Sequence, residues 1–470
     1  MVERGERIHV VGIAGSGAAG AALLLHHAGA IVDGCDLDAP SPYTLPLDAA
    51  GIRYAIGHDW RHLDGIDRVA VSPAVRYGSD HPELGPALVR QLPIQTWQSM
   101  LAELQLAAGH IGLAVTGTHG KSTTTALLGH LLIAAGLDPT VEVGAFIGAW
   151  GASVRPGGGA PFLVEADEFG DNFLNYHPAG AIVTNVEMDH PDFFADAAAV
   201  MDSFEKFVRG MLSHPALNGR LLVIAANDPG VKELIGRLGG WQGRILPYGP
   251  GGEIMATDVV RGRDGTTFRV FDQTFQMSLA GEHNVLNATA ALIMARALGG
   301  DLELLVEGLR TFSGAGRRME LIADTPTVTI YDDYGHHPTE VRAALSAARQ
   351  RVGPERRLWA VFEPHMYSRT ALLMDAFATA FTEANEVVIA DIFASRDTPD
   401  AMASTSAEAL ADAIERNSAV PAIATGDVDA TTDYVADHVG TGDAVLVMGA
   451  GKSYRIARNL ADRLSKDPRS

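Results

Sequence analysis

Cysteine is almost missing: Cys35 is the single one in 470 residues. An intrachain disulfide and any cysteine-rich zinc site are thereby excluded, and a reducing compartment suits the chain. Positive charge is also scarce, with 36 Lys and Arg against 57 Asp and Glu, a net charge of −21. A phosphate backbone or an anionic bilayer gains no long-range attraction from such a chain, so neither nucleic acid nor membrane is expected as a partner, although local basic pockets are still allowed. No apolar N-terminal core follows a basic start, and no apolar run is long enough to cross a bilayer, so a cytoplasmic location is expected. Repeats of fixed period and long low-complexity tracts are lacking too; Pro156 to Pro161 is a short glycine-rich turn.

What is present is globular material: 47% hydrophobic and 20% charged residues. At one domain per roughly 100–200 residues, the length predicts about three domains.

The most informative stretch is Gly117-Thr118-His119-Gly120-Lys121-Ser122-Thr123. An apolar, partly β-branched run, Ile111 to Val115, precedes it, and a helical apolar period from Thr123 to Ala135 follows. Strand, glycine loop and helix make a phosphate cradle: freed N–H groups and the positive helix end face the oxygens, Lys121 adds a mobile charge, and Ser122 offers a hydroxyl to Mg²⁺. The general motif wants a glycine five places before Gly120, where Val115 stands, so this loop is short. A polar β–α turn is the bland alternative.

Two more strands end in acids. Phe162 to Val164 runs into Glu165, Asp167 and Glu168, and Ala181 to Thr184 leads to Glu187, Asp189 and His190. Carboxylates so close repel one another unless a divalent cation sits among them. A lone histidine is more often structural than a ligand; beside acids, His190 is expected as a ligand. Further on, His283, Asn284 and Asn287 open a helix and share a face, suited to stacking on a base and reading an adenine edge, with a helix cap as the competing role for Asn284.

The N-terminal segment has the order strand (Ile8 to Val11), glycine turn (Gly12 to Gly17), alanine-rich helix, strand to Cys35 and Asp36, which opens a dinucleotide-binding βαβ unit. Its glycine spacing is offset from the standard form and does not separate a nicotinamide site from any other pyrophosphate site. Residues 313–470 alternate apolar strands with helices, with strands at Thr327 to Tyr331, Leu358 to Phe362, Glu386 to Ala390 and Ala444 to Met448.

The shortened Gly-Thr-His-Gly-Lys-Ser-Thr loop, both acid-ended strands, the segment Asp332 to Glu340, and the strings Ser72 to Val75 and His81-Pro-Glu83 resemble the Mur ligases, ATP-dependent amide-forming enzymes of peptidoglycan precursor synthesis. The resemblance covers nearly the whole chain. It implies three α/β domains: a Rossmann-like UDP-binding domain at 1–110, a P-loop ATPase-like domain at 111–312 and a doubly wound Rossmann-like domain at 313–470. It also implies Gly15, Ser16 and Gly17 at the UDP pyrophosphate, Asp36 and Ser72 near the uridine, and the loop residues 117–123 on ATP. Glu165 and Ser122 are implied on one Mg²⁺ and His190 on a second, His283, Asn284 and Asn287 at the adenine, and Arg318 (with Arg317 as rival) at the γ-phosphate. Asp333 and His337 are candidates to orient or deprotonate an amine, and Tyr334, His336, His337, His365 and Arg369 are expected at an incoming amino acid. Asp332 to Glu340 favours the branch that joins L-alanine to the lactyl carboxylate of UDP-N-acetylmuramate through an acyl phosphate, as a monomer or homodimer. Met366 stands where that branch usually has arginine. Lys206 is the lysine nearest a place that other branches carbamylate, and no modification is expected. A related branch that attaches a tripeptide during wall recycling is the alternative. A nicotinamide-dependent oxidoreductase and a silent ATP-binding regulator are the readings from other classes.

Overall fold

The computed structural model describes residues 1–37, 40–41, 43–72, 80–325 and 327–465. They form two compact units: Met1–Glu187 with Ala198–Met255 and Leu286–Ala315, and Met188–Ala197 with Ala256–Val285 and Gly316–Ser470. Residues 188–197 and 256–285, expected inside the central domain, therefore group with the C-terminal sheet.

The first unit carries two α/β sheets. The N-terminal one is wholly parallel, in the order Arg53–Ile56, Ile31–Asp36, Arg7–Val11, Arg68–Val71, Ile94–Thr96. Parallel strands are covered on both faces, and the apolar run Ile8, Val10 and Val11 is fully buried accordingly. The glycine turn delivers the chain into the helix Ser16–His27. Gly17 is needed there because a Cβ would lie 2.3 Å from the Trp97 ring, which belongs to the helix Trp97–Gln105. Ser16 also ties this helix to the next sheet: its Oγ donates to the Gly144 carbonyl at 2.8 Å, and Ser153 Oγ donates to the Ser16 carbonyl at 3.0 Å.

The central sheet runs Arg244–Tyr248, Leu221–Ala225, Gly180–Val183, Ile111–Thr116, Pro161–Glu165, Thr140–Ile147, Ala152–Arg155, and only the last strand is antiparallel. The phosphate-loop strand Ile111–Thr116 lies between the two strands that end in acids. That is where the sheet order switches, the place at which open α/β sheets bind ligands.

The second unit holds a small antiparallel sheet, residues 257–277, and the C-terminal sheet. The latter has the order Glu320–Asp324, Val328–Asp333, Asp443–Met448, Leu358–Phe362, Glu386–Ala390, Ala422–Gly426, with the first strand antiparallel. The four strands expected from the sequence are its buried centre, while both edges escaped notice. Edge strands are half exposed, so Glu320–Asp324 and Ala422–Gly426 lack the continuous apolar run that marks a buried parallel strand. Among the described residues, no helix is long and apolar enough to cross a membrane.

Candidate functional site

The phosphate loop is held in shape by its neighbour. Gly117 has φ +132° and Gly120 φ +81°, and a Cβ at Gly117 would lie 2.1 Å from Thr184 Oγ1. The segment after the strand Gly180–Val183 clamps the loop. His119 N–H donates to Asn185 Oδ1 at 2.7 Å, Asn185 Nδ2 donates back to the His119 carbonyl at 3.0 Å, and Glu187 N–H donates to Thr118 Oγ1 at 2.8 Å. His119 Nε2 stands 3.5 Å from the Glu187 carboxylate. The helix Lys121–Ala134 begins directly after Gly120, two residues earlier than its apolar period predicts, with Thr123 buried in its first turn.

Lys121 folds back over the loop. Its Nζ donates to the Gly117 and Thr118 carbonyls at 2.8 and 3.2 Å and to Glu168 Oε2 at 2.7 Å, with Asp167 at 3.5 Å. Burial alone would lower the pKa of Lys121, but Glu168, Asp167 and Glu165 raise it well above its ordinary value, so it is charged at any physiological pH. Ser122 Oγ and Glu165 meet at 2.9 Å, and the other Glu165 oxygen accepts from Gly144 N–H at 2.7 Å. Behind them lies Glu142, a carboxyl 2% exposed and raised well above its ordinary range by burial and then by the Glu165 charge. An oxygen-only donor pair backed by further acids fits a hard cation such as Mg²⁺.

The helix Glu282–Ala297 brings Asn287 to the loop, its Oδ1 2.9 Å from where a Cβ on Gly120 would stand. Asn284 is buried and donates through Nδ2 to the Ala280 carbonyl at 2.7 Å, bracing the helix start. His283 titrates at about 4, lowered by burial and then by Arg318, so its ring is neutral. In the N-terminal sheet Gly15 caps the first helix, Asp36 accepts from Ala14 N–H at 2.9 Å, and Ser72 N–H donates to the Val11 carbonyl at 3.0 Å. The remainder of the Ser72 to Val75 string lies outside the described residues.

In the second unit the two arginines separate. Arg317 donates to Asp332 at 3.0 Å, to the Gly449 carbonyl at 2.7 Å and to Ser453 Oγ at 2.9 Å, which commits it to joining strand ends. Arg318 lies 5.2 Å from the Tyr334 ring centre. Asp333, expected to work on an amine, accepts from Gly335 N–H at 2.7 Å and Met319 N–H at 2.8 Å, so both its oxygens hold backbone. His337 caps the helix Pro338–Val352, its Nδ1 accepting from Thr339 N–H at 3.3 Å while Glu340 accepts from His337 N–H. A ring whose Nδ1 accepts carries its proton on Nε2, which makes His337 in this state a donor and not a base.

Arg369 is placed differently from the expected open clamp. It is 1% exposed, and its guanidinium faces Asp189 at 2.7 Å, His365 Nδ1 at 2.9 Å and His190 Nδ1 at 3.5 Å. A side chain so enclosed has already given its charge to Asp189. Burial would raise the Asp189 carboxyl, but Arg369 and then His190 hold it well below the usual range. His365, near 2, and His336, near 4, are both neutral, each through burial first. Met366 is fully buried with φ +71°, and Arg396 reaches its sulfur at 3.9 Å while pairing with Asp192 at 2.9 Å.

Three family models match: the Mur ligase family catalytic domain at residues 7–108, the Mur ligase middle domain at 162–295, and the Mur ligase glutamate ligase domain at 317–451. A UDP-N-acetylmuramate–L-alanine ligase of Mycolicibacterium vanbaalenii is 37% identical over 97% of this chain and 95% of its own. The chain belongs to the Mur ligase family. Among solved structures, the UDP-N-acetylmuramate–alanine ligase of Thermotoga maritima is similar with TM-score 0.80 and 26% identity over 98% of this chain and 99% of its own. A murein peptide ligase of Psychrobacter arcticus follows at TM-score 0.71 and 25% identity, covering 98% of this chain and 99% of its own. The three-domain α/β Mur ligase fold, with parallel sheets in the N-terminal, middle and C-terminal domains, accounts for all three large sheets.

For this Mur ligase, sequence reasoning missed Asn185 as the loop's clamp, Glu142 behind Glu165, and the Asp189–Arg369 pair. Glu142 left one signal: it is a carboxylate in the middle of the otherwise apolar run Val141 to Val143.

Two predictions come from these buried pairs. Lys121→Ala strips the counter-charge from Glu168, which is 1% exposed. Burial already raises the Glu168 pKa to about 8 beside Lys121, above its unfolded value of about 4.3, and loss of the lysine raises it further, so the stability retained below the unfolded value is lost as pH rises. The urea midpoint should fall below wild type by more at pH 8 than at pH 5; equal shifts would count against the buried pair. Arg369→Met leaves Asp189 unpaired and should cost about 3–5 kcal/mol near pH 7. Because the depressed Asp189 pKa stabilises wild type above the unfolded value of about 3.9 and fades on acidification, the gap should narrow toward pH 3. Adding Asp189→Asn should recover part of the loss, and no recovery would argue that Arg369 acts mainly through packing.

Proposed function

We propose that this Mur ligase joins L-alanine to the lactyl carboxylate of UDP-N-acetylmuramate, driven by ATP. The observation that carries the reading is the loop Gly117–Gly120 with Lys121 over its carbonyls and Ser122 against Glu165, in a chain alike over nearly its full length to UDP-N-acetylmuramate–L-alanine ligases. A free carboxylate is a poor acyl donor. Its oxygen bonds to the γ-phosphorus and ADP leaves; the alanine nitrogen then bonds to the acyl carbon as phosphate leaves and the nitrogen gives up a proton.

In this reading the loop amides from Gly117 to Lys121 bind the phosphates, and Lys121 turns from Glu168 to the transferring phosphoryl group. Stabilising spread negative charge is the main task of such a site. Ser122 and Glu165 would hold Mg²⁺, which neutralises phosphate charge when bound, and His190 is assigned to a second ion. Arg318 is assigned to the γ-phosphate, favoured over Arg317 because the latter's donors are committed to Asp332, Gly449 and Ser453. His283, Asn284 and Asn287 are assigned to the adenine, and Gly15, Ser16, Gly17, Asp36 and Ser72 to the UDP portion. Asp333 and His337 shape the turn from Tyr334 to Pro338, while Tyr334, His336 and His365 are assigned to the amino acid. The protein would work in the cytoplasm, where ATP and the UDP-sugar are made.

The carboxylate of L-alanine needs a cation, and Arg396 reaches the side chain at position 366. Arg396→Ala should therefore raise the apparent KM for L-alanine about tenfold or more, the worth of a charged hydrogen bond, and leave the KM for ATP unchanged. An unaltered L-alanine KM would remove Arg396 from the pocket. The activity itself is tested by phosphate release from ATP with UDP-N-acetylmuramate and L-alanine, glycine, L-serine or a tripeptide. Release with L-alanine is expected; release with the tripeptide alone would favour the recycling reaction, and nicotinamide turnover without phosphate release would overturn the ligase reading.

A further inference from the structure

Away from the phosphate loop, the N-terminal sheet encloses a cluster that the ligase chemistry does not use. His9 comes from the strand Arg7–Val11, Cys35 from Ile31–Asp36, His62 from the short helix Trp60–Leu63, and Glu83 from the residue before the helix Leu84–Val89. Each offers one ligand atom, and the four atoms lie within 4.8 Å of one another. His9 is 1% exposed, and Cys35 and Glu83 are fully buried.

We infer that His9, Cys35, His62 and Glu83 form a structural site for a zinc-class divalent ion. In a tetrahedral site with metal–ligand distances of about 2.0–2.3 Å, neighbouring ligand atoms stand roughly 3.3–3.7 Å apart. His9 Nε2 lies 3.4 Å from Cys35 Sγ and 3.5 Å from Glu83 Oε2, already at that spacing. Cys35 Sγ and Glu83 Oε2, at 2.9 Å, open by a few tenths of an ångström when a cation replaces the thiol proton between them; that proton, and the Nε2 proton of the charged His9 ring, leave to solvent. His62 Nδ1 approaches the same carboxylate at 2.7 Å from the other oxygen.

A second observation points the same way. The far nitrogen of His9, Nδ1, is 2.7 Å from Asp33 Oδ1, the carboxylate contact that fixes tautomer and ring direction in metal-bound histidines and turns the Nε2 lone pair inward. His58 Nδ1, 3.2 Å from Cys35 Sγ, stands ready as a fifth donor. One thiolate, two imidazoles and a carboxylate suit Zn²⁺ and its Co²⁺ substitute, whereas Mg²⁺ and Ca²⁺ take oxygen shells. Three of the donors are buried and His62 is half-buried, and four protein ligands complete a tetrahedral shell, so the ion's work is to tie two strands and two helices together.

The test uses the full-length protein, freed of any affinity tag and stripped of metal, titrated with Co²⁺. A near-ultraviolet thiolate-to-cobalt charge-transfer band should grow to saturation at one equivalent, be displaced by Zn²⁺, and be missing in Cys35→Ala. Because Cys35 is the only cysteine, the band has no other source in the chain. Zn²⁺ should also raise the unfolding temperature of wild type and not of Cys35→Ala. Folded wild type that shows no band with tenfold excess Co²⁺ overturns the site and leaves a hydrogen-bonded cluster only.

Discussion

The first unit depends on a buried ammonium that must have a carboxylate. Lys121 sits among loop carbonyls where an unpaired charge would be expelled, and Glu168 meets it at 2.7 Å. The strand Pro161–Glu165 therefore ends in acids for two reasons. Glu168 and Asp167 keep the lysine charged, and Glu165 is kept for Ser122 and the Gly144 N–H. The loop's shape follows from the same crowding. Gly117 and Gly120 leave no room for side chains because Thr184 and Asn287 occupy the space, and Asn185 holds the main chain between them from both sides.

The same rule organises the C-terminal sheet's ligand end. Arg369 and Asp189 form an enclosed pair, and the imidazoles around them, His336 and His365, stay neutral because burial beside a guanidinium gives a second positive charge no shelter. Asp332, raised to about 6 by burial in spite of Arg317, shows how much a charge there depends on its partner. The chemistry-bearing side chains are thus sorted by donor bookkeeping. Asp333 and the Nδ1 of His337 accept from backbone N–H groups, and Arg317 is taken up by Asp332, Gly449 and Ser453, so in this state all three hold strand and helix ends in place.

The sequence by itself determined the fold class, the buried central strands and the phosphate loop. Apolar runs, glycine spacing and acid-ended strands are local patterns, and Gly117 to Ser122 carries its mechanism within six residues. Through the family resemblance it also gave the expectation that Glu165 and Ser122 serve one cation, and the two side chains meet at 2.9 Å. Only the tertiary structure decided which polar residues are committed to one another. Arg317 and Arg318 are adjacent and chemically identical; Gly449 and Ser453, more than a hundred residues later, separate them. Arg369 changes from an expected clamp to half of a buried pair because Asp189, 180 positions earlier, reaches it first. The edge strands and the His9–Cys35–His62–Glu83 cluster were hidden for the same reason. Their partners come from distant segments, and hydrogen bonding and ligand geometry act over a few ångströms of space, which spacing along the chain does not encode.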